Sequence, residues 1–131
     1  MAALARRAAR NPEFRIKIQS MGPDVVDALR SRFRYRGEDR EIVRSPEFML
    51  HDLETLGYVE GDCDDISTLI AAVLLVWGMP CRFAATIYTP GVTNYQHVFV
   101  EALVSGKWIT LDLTTPPGTV QTWIQRMQED L

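Results

Sequence analysis

Cysteine and histidine are scarce: the 131-residue chain carries two of each, Cys63, Cys81, His51 and His97. Two sulfurs cannot form a disulfide-stapled framework. A single Cys63–Cys81 bridge is excluded as well, because the two flank a predicted helix of about 15 residues. At ~1.5 Å per residue they lie roughly 20 Å apart, whereas a bridge needs Cα atoms within about 7 Å. Also missing is a long apolar run: Leu69 to Trp77 is the longest, well short of the roughly 20 residues of a membrane span. The N-terminus lacks the apolar core of a secretory signal. No serine occurs in its first ten residues, so the Ala/Arg-rich start reads as a surface helix or arm rather than a transit peptide. Repeats and low-complexity segments are absent too. Cations are scarce beyond residue 44: residues 1–44 hold 11 Lys+Arg and 6 Asp+Glu, whereas 45–131 hold 3 and 11. The basic third (Arg30, Arg32, Arg34, Arg36, Arg40, Arg44) matches no nucleic-acid-binding module and reads as a solvated helix face. With 47% hydrophobic residues, the expectation is one globular domain over 1–131, not bound to membrane or nucleic acid.

What is present centres on Gly61-Asp62-Cys63-Asp64-Asp65, which runs into an apolar stretch from Ile66 to Trp77 and stops at Gly78-Met79-Pro80. Asp62 is a candidate N-cap, Asp64 and Asp65 suit the positive end of the helix dipole, and Gly78 and Pro80 end the helix. Every face of it is apolar, so it lies inside the fold. Cys63 falls on its first turn, where unpaired backbone N–H groups stabilise a thiolate and can hold an oxyanion. The flanking carboxylates mark a solvated helix tip and oppose a thiolate, so a reactive Cys63 requires a cation nearby. Cys81 reads as a packed thiol.

Earlier in the chain, short helices are expected over 1–10, from Asn11-Pro12-Glu13, from Gly22-Pro23-Asp24 to near Gly37, and from Ser45-Pro46-Glu47 to Gly57. The last of these carries His51 as a surface histidine. Tyr58 to Gly61 reads as a loop. After Pro80 the period becomes that of strands: Cys81 to Tyr88, Gln96 to Val104 and Lys107 to Thr114, three antiparallel strands. Val120, Trp123, Ile124, Met127 and Leu131 then give an amphipathic helix over 119–131.

A two-residue hairpin at Ser105-Gly106 pairs Val104 with Lys107. One face then carries Val98, Val100 and Ala102 against Leu113, Leu111 and Ile109, and the other carries His97, Phe99 and Glu101 with Asp112, Thr110 and Trp108. A slip of one residue would mix these sets, which fixes the register. Asp112 falls diagonal to His97 on one face, within hydrogen-bonding reach. A helix-start cysteine, a histidine and a carboxylate beside that histidine supply a nucleophile, a base and an orienter.

Gly61-Asp62-Cys63-Asp64-Asp65, Gly78-Met79-Pro80-Cys81-Arg82, His97-Val98-Phe99-Val100-Glu101 and Trp108 to Thr114 together resemble the core of the transglutaminase-like superfamily, which shares the papain-like plan. The resemblance spans roughly Tyr58 to Thr114. It implies an α+β fold in which a buried helix headed by the nucleophilic cysteine packs on a small antiparallel sheet, with helices N-terminal (1–57), a catalytic core (58–114) and one C-terminal helix (119–131). The implied triad is Cys63, His97 and Asp112, with the Cys63 backbone N–H or Tyr58 as oxyanion donor, and no cofactor. The implied function is a cysteine protease, amide hydrolase or acyltransferase that passes through a thioester and acts on a protein or peptide amide. The alternative is a non-catalytic structural or adaptor protein, such as a phage virion component with phage or bacterial protein partners. The corresponding locations are the cytoplasm or a virion. Related calcium-dependent peptidases raise metal binding at Asp62, Asp64 and Asp65, but helix-start charge explains these residues without a metal.

Overall fold

The computed structural model describes residues 1–37 and 42–131; Arg40 lies outside them. Helix α5 (Cys63–Val76) is the centre of the molecule, with eleven of its residues buried. Its start is fixed by a capping box: Asp62 accepts the Asp65 N–H at 3.2 Å, and Asp65 accepts the Asp62 N–H at 3.0 Å. The helix tip is therefore only partly solvated, since Asp65 is 1% exposed and also accepts the Arg44 N–H at 2.7 Å. Burial pushes the Asp65 carboxyl up to about 6. Gly61 is required just before the cap, because a Cβ there would stand 2.7 Å from the Asp65 Cβ.

Three strands follow α5: β3 (Cys81–Ile87), β4 (His97–Val104) and β5 (Lys107–Leu111). The β4–β5 ladder runs from Val104 opposite Lys107 to Val100 opposite Leu111, the register that the polarity pattern predicts. The turn takes positive φ at both Ser105 (52°) and Gly106 (79°), as a two-residue hairpin of this twist demands. Val98, Val100 and Ala102 face α5 in the core, and the buried Ser67 hydroxyl donates to the Val98 carbonyl at 3.3 Å, tying the cysteine's helix to the histidine's strand.

The C-terminal segment corrects the sequence reading. Residues 119–131 are not a helix: Gln125–Asp130 form strand β6, antiparallel to β3, which completes a four-stranded sheet of order β5-β4-β3-β6. The residues at helical spacing do not form a buried stripe, since Val120 is 84% and Ile124 62% exposed. What places the strand is tertiary. β3 has an open edge, and Glu101 on the sheet's outer face receives Arg126 from β6 together with Arg82 from β3. Burial alone would push the Glu101 carboxyl up, but the two guanidinium groups outweigh it and hold it below the ordinary range.

The N-terminal third is more deeply integrated than its charge suggests. Helix α1 (Ala2–Arg10) is no surface arm: Ala5, Ala8 and Ala9 are buried, their small side chains allowing close approach to α5. Arg6 Nη2 donates to the Asp130 carbonyl at 3.3 Å, so the first helix touches the last strand. Helices α2 (Pro12–Met21), α3 (Val25–Arg32) and α4 (Pro46–Leu56) start close to the expected caps, and α4 stops at the expected Gly57; Asn11 and Ser45 accept N–H bonds from the first turns of α2 and α4. The stretch expected to continue α3 to Gly37 instead becomes strand β1 (Phe33–Tyr35). It pairs in parallel with β2 (Val59–Gly61), a segment that reads as loop. Arg32, Arg34 and Arg36 are exposed, as a solvated face requires, but several arginines also bond to protein groups. Arg30 donates to the Thr115 carbonyl (3.0 Å), Arg32 to Gly57 (3.0 Å) and Arg44 to Glu60 (2.7 Å), while Arg34 stacks 3.8 Å over the Tyr58 ring. Among the described residues, no helix is long and apolar enough to cross a membrane.

Candidate active site

A cavity of about 390 Å³ opens where the start of α5 meets the sheet, and its walls include Cys63, His97, Tyr35, Asp62 and Gln96. Cys63 is the first residue of α5, so its backbone N–H is one of the helix-start donors with no intrahelical acceptor. His97 opens β4, and Asp112 lies one residue beyond the end of β5. His97 Nε2 and Asp112 Oδ2 are 2.7 Å apart, the contact that the hairpin register predicts. With Nε2 engaged by the carboxylate, Nδ1 is the ring nitrogen available to the thiol.

Asp112 is 5% exposed and fully occupied. Oδ1 accepts the Thr114 N–H (2.9 Å) and hydroxyl (2.7 Å), and Oδ2 accepts the Gln121 amide (2.8 Å) besides the imidazole. Burial pushes this carboxyl up, but the hydrogen bonds from His97 and Thr114 prevail and hold it below its usual range. The reciprocal effect on the imidazole is large. The Asp112 hydrogen bond, then that of Cys63, raises His97 from 6.5 to about 9 against the opposing effect of burial. His97 is therefore a cation at neutral pH, beside both the carboxylate and the sulfur, which is the cation that the acidic surroundings of Cys63 call for.

Tyr58 is not at this site. Its ring stacks with Arg34 and lines a separate cleft beside Gly57. Two other phenols line the cavity, that of Tyr95, two residues before β4, and that of Tyr35, delivered by β1. Burial and the neighbouring Cys63, Asp62 and Asp64 raise the Tyr35 pKa. Sequence periodicity gives no sign of Tyr35, because the three-residue parallel pairing that places it spans two segments far apart in the chain. Gln121 is hidden for another reason, since it lies in a stretch whose spacing imitates a helix. His51 is exposed on α4, away from the cavity. Cys81 is buried at the start of β3, and both cysteines are free thiols. Asp62 and Asp65 spend their carboxylates on the capping box, and no group of three or more His, Cys, Asp or Glu among the described residues is arranged to hold a metal.

No curated protein matches the chain. Among solved structures, a candidate cysteine protease from Cytophaga hutchinsonii shares 20% identity at a TM-score of 0.48, over 75% of this chain and 30% of its own. The chain thus spans less than a third of that protein. The family model of the transglutaminase-like superfamily matches residues 3–113, nearly the whole of the helical part, α5 and the first three strands of the sheet. On that match, the chain belongs to the transglutaminase-like superfamily.

Proposed function

We propose that the protein is a thiol-dependent amide hydrolase or acyltransferase acting on a protein or peptide. The observation that carries this reading is the His97–Asp112 pair at 2.7 Å, on the wall of the same cavity as Cys63 at its helix start. Cys63 Sγ adds to the amide carbonyl carbon with its proton already held at His97 Nδ1. The carbonyl oxygen, now an oxyanion, is met by the Cys63 backbone N–H, with the Tyr35 hydroxyl as the second donor lining the cavity. Collapse of the tetrahedral species breaks the C–N bond. The His97 proton goes to the departing nitrogen, leaving a thioester on Cys63. Water or an amine then attacks the thioester, giving its proton to His97, and expulsion of the thiolate beside that imidazolium restores the starting site. Asp112 orients the imidazole and stabilises its charge without taking the proton. No specific observation favours the adaptor alternative: exposed arginines it would use as contacts already have partners within the chain, Arg32 the Gly57 carbonyl, Arg34 the Tyr58 ring and Arg36 the Glu60 carboxylate.

The test pairs Cys63→Ala with a thermal melt and a peptide-hydrolysis and amine-incorporation assay. The variant should melt like wild type and lose all turnover. Turnover retained by a folded Cys63→Ala protein overturns the proposal.

A further inference from the structure

The cavity at Cys63 does not end at the nucleophile. Met1, Ala85 and Val98 line both it and a second, predominantly apolar hollow of about 150 Å³, whose remaining walls include Ala2, Phe83 and Met127, with Glu129 at its rim. The strands build this surface in one row: Met127 on β6 pairs with Ala85 on β3, which pairs with Val98 on β4, next to His97. This row lies on the face opposite that of the His97 side chain, and Ala85, Val98 and His97 meet only at the wall of the Cys63 cavity. We infer that this second hollow receives an apolar side chain of leucine or phenylalanine size from the substrate, within two residues of the reacting amide, and that Met127 is the specificity-determining residue. The inference rests on the thiol chemistry proposed for Cys63.

Four observations support it. The hollow shares three residues with the nucleophile's cavity, so a peptide bound at Cys63 can extend directly into it. Its size suits the occupant, since an apolar cavity of about 150 Å³ accepts a benzene ring. Met127 is 53% exposed at the open side, and an unbranched thioether at that place can close over side chains of differing shape. Glu129 at the rim repels an acidic occupant. β6 lies beyond residues 3–113, so this preference belongs to the chain's own C-terminal strand rather than to the part matched by the family.

The experiment incubates a mixture of random-sequence peptides with the full chain, with and without an added primary amine, and reads cut and amine-modified amides by mass spectrometry. Cys63→Ala serves as the blank. Leucine and phenylalanine should be enriched about tenfold at one fixed position near the reacting amide, a discrimination that one apolar pocket can supply. Met127→Glu should abolish that enrichment while reactions beside small residues continue. Met127→Ala, which only widens the hollow, should move the preference toward phenylalanine and tryptophan. Cys63-dependent reaction without apolar enrichment, or with enrichment that neither Met127 variant alters, overturns the inference and leaves the thiol chemistry standing. No Cys63-dependent reaction, together with Cys63 labelling no faster than Cys81, overturns the thiol chemistry and the inference with it.

Discussion

Replacing Asp112 by asparagine removes one charge and leaves the volume unchanged, which makes it the sharpest probe of the site. The carboxylate accepts from N–H donors on both oxygens, Thr114 on Oδ1 and both Gln121 and His97 on Oδ2. An amide has only one acceptor edge. If its oxygen stays with Thr114, its NH2 faces His97 and Gln121, and His97 Nε2 must then accept; the remaining proton moves to Nδ1, where the thiol needs an acceptor. The expected loss of turnover is about 10³- to 10⁴-fold, as for the wrong tautomer in other triads. The His97 titration midpoint should fall from about 9 toward the ordinary 6.5, because the Asp112 hydrogen bond is the largest cause of its elevation. Stability follows with a definite sign. A histidine whose folded pKa lies above its unfolded value contributes stability that is complete below about pH 6.5 and lost as pH rises through about 9. The displacement from 6.5 to about 9, at about 1.4 kcal/mol per pH unit, corresponds to about 3 kcal/mol, with the Cys63 hydrogen bond supplying the smaller part. Denaturation of wild type and variant should therefore show a gap that is largest near pH 6 and narrows by about that amount by pH 10. NMR of the imidazole gives the midpoint directly. A variant whose His97 still titrates near 9, or a stability gap independent of pH, would refute this account of the pair.

Cys63 should alkylate long before Cys81 in the native protein, because Cys81 is 2% exposed and burial pushes its thiol up to about 11; mass mapping after a brief pulse of iodoacetamide decides this, and equal labelling would count against the site. Wild-type acylation should decline above about pH 9, where His97 loses the proton it gives to the departing amine, and stopped-flow pH profiles would expose a plateau there if the assignment is wrong. Gly61→Ala should cost roughly 1–3 kcal/mol in chemical denaturation, since its Cβ meets the buried Asp65 side chain; a neutral result would mean that the capping box shifts freely. Glu101→Ala leaves Arg82 and Arg126 facing each other without their carboxylate and should cost about 3 kcal/mol, with early hydrogen exchange along β6 as its signature.

The parts of the fold that were legible in the sequence are those whose signals are local. Asp62, Gly78 and Pro80 bracket α5, and Ser105-Gly106 together with the alternation in β4 and β5 fixes the register that joins His97 to Asp112. The rest depends on contacts between distant segments. Phe33 to Tyr35 continues an apparent helix until Val59 to Gly61 offers it a parallel partner. Val120, Trp123, Ile124 and Met127 have a helix's spacing, yet the open edge of β3 and the charge on Glu101 draw the segment into the sheet. The polar support of Asp112 by Gln121 and the delivery of Tyr35 to the cavity both follow from those two pairings, so they were hidden with them.

The bond from Arg6 to the carbonyl of Asp130 joins residues 124 positions apart, and that separation has a kinetic meaning. Contacts distant in sequence are the slowest to form, because the loop between them must lose its freedom before any contact rewards it. The helix bearing Cys63 can wind early from local signals alone, whereas α1 and β6 close on it from the two far ends of the described chain. The contact between α1 and β6 should therefore be among the last in the molecule to form.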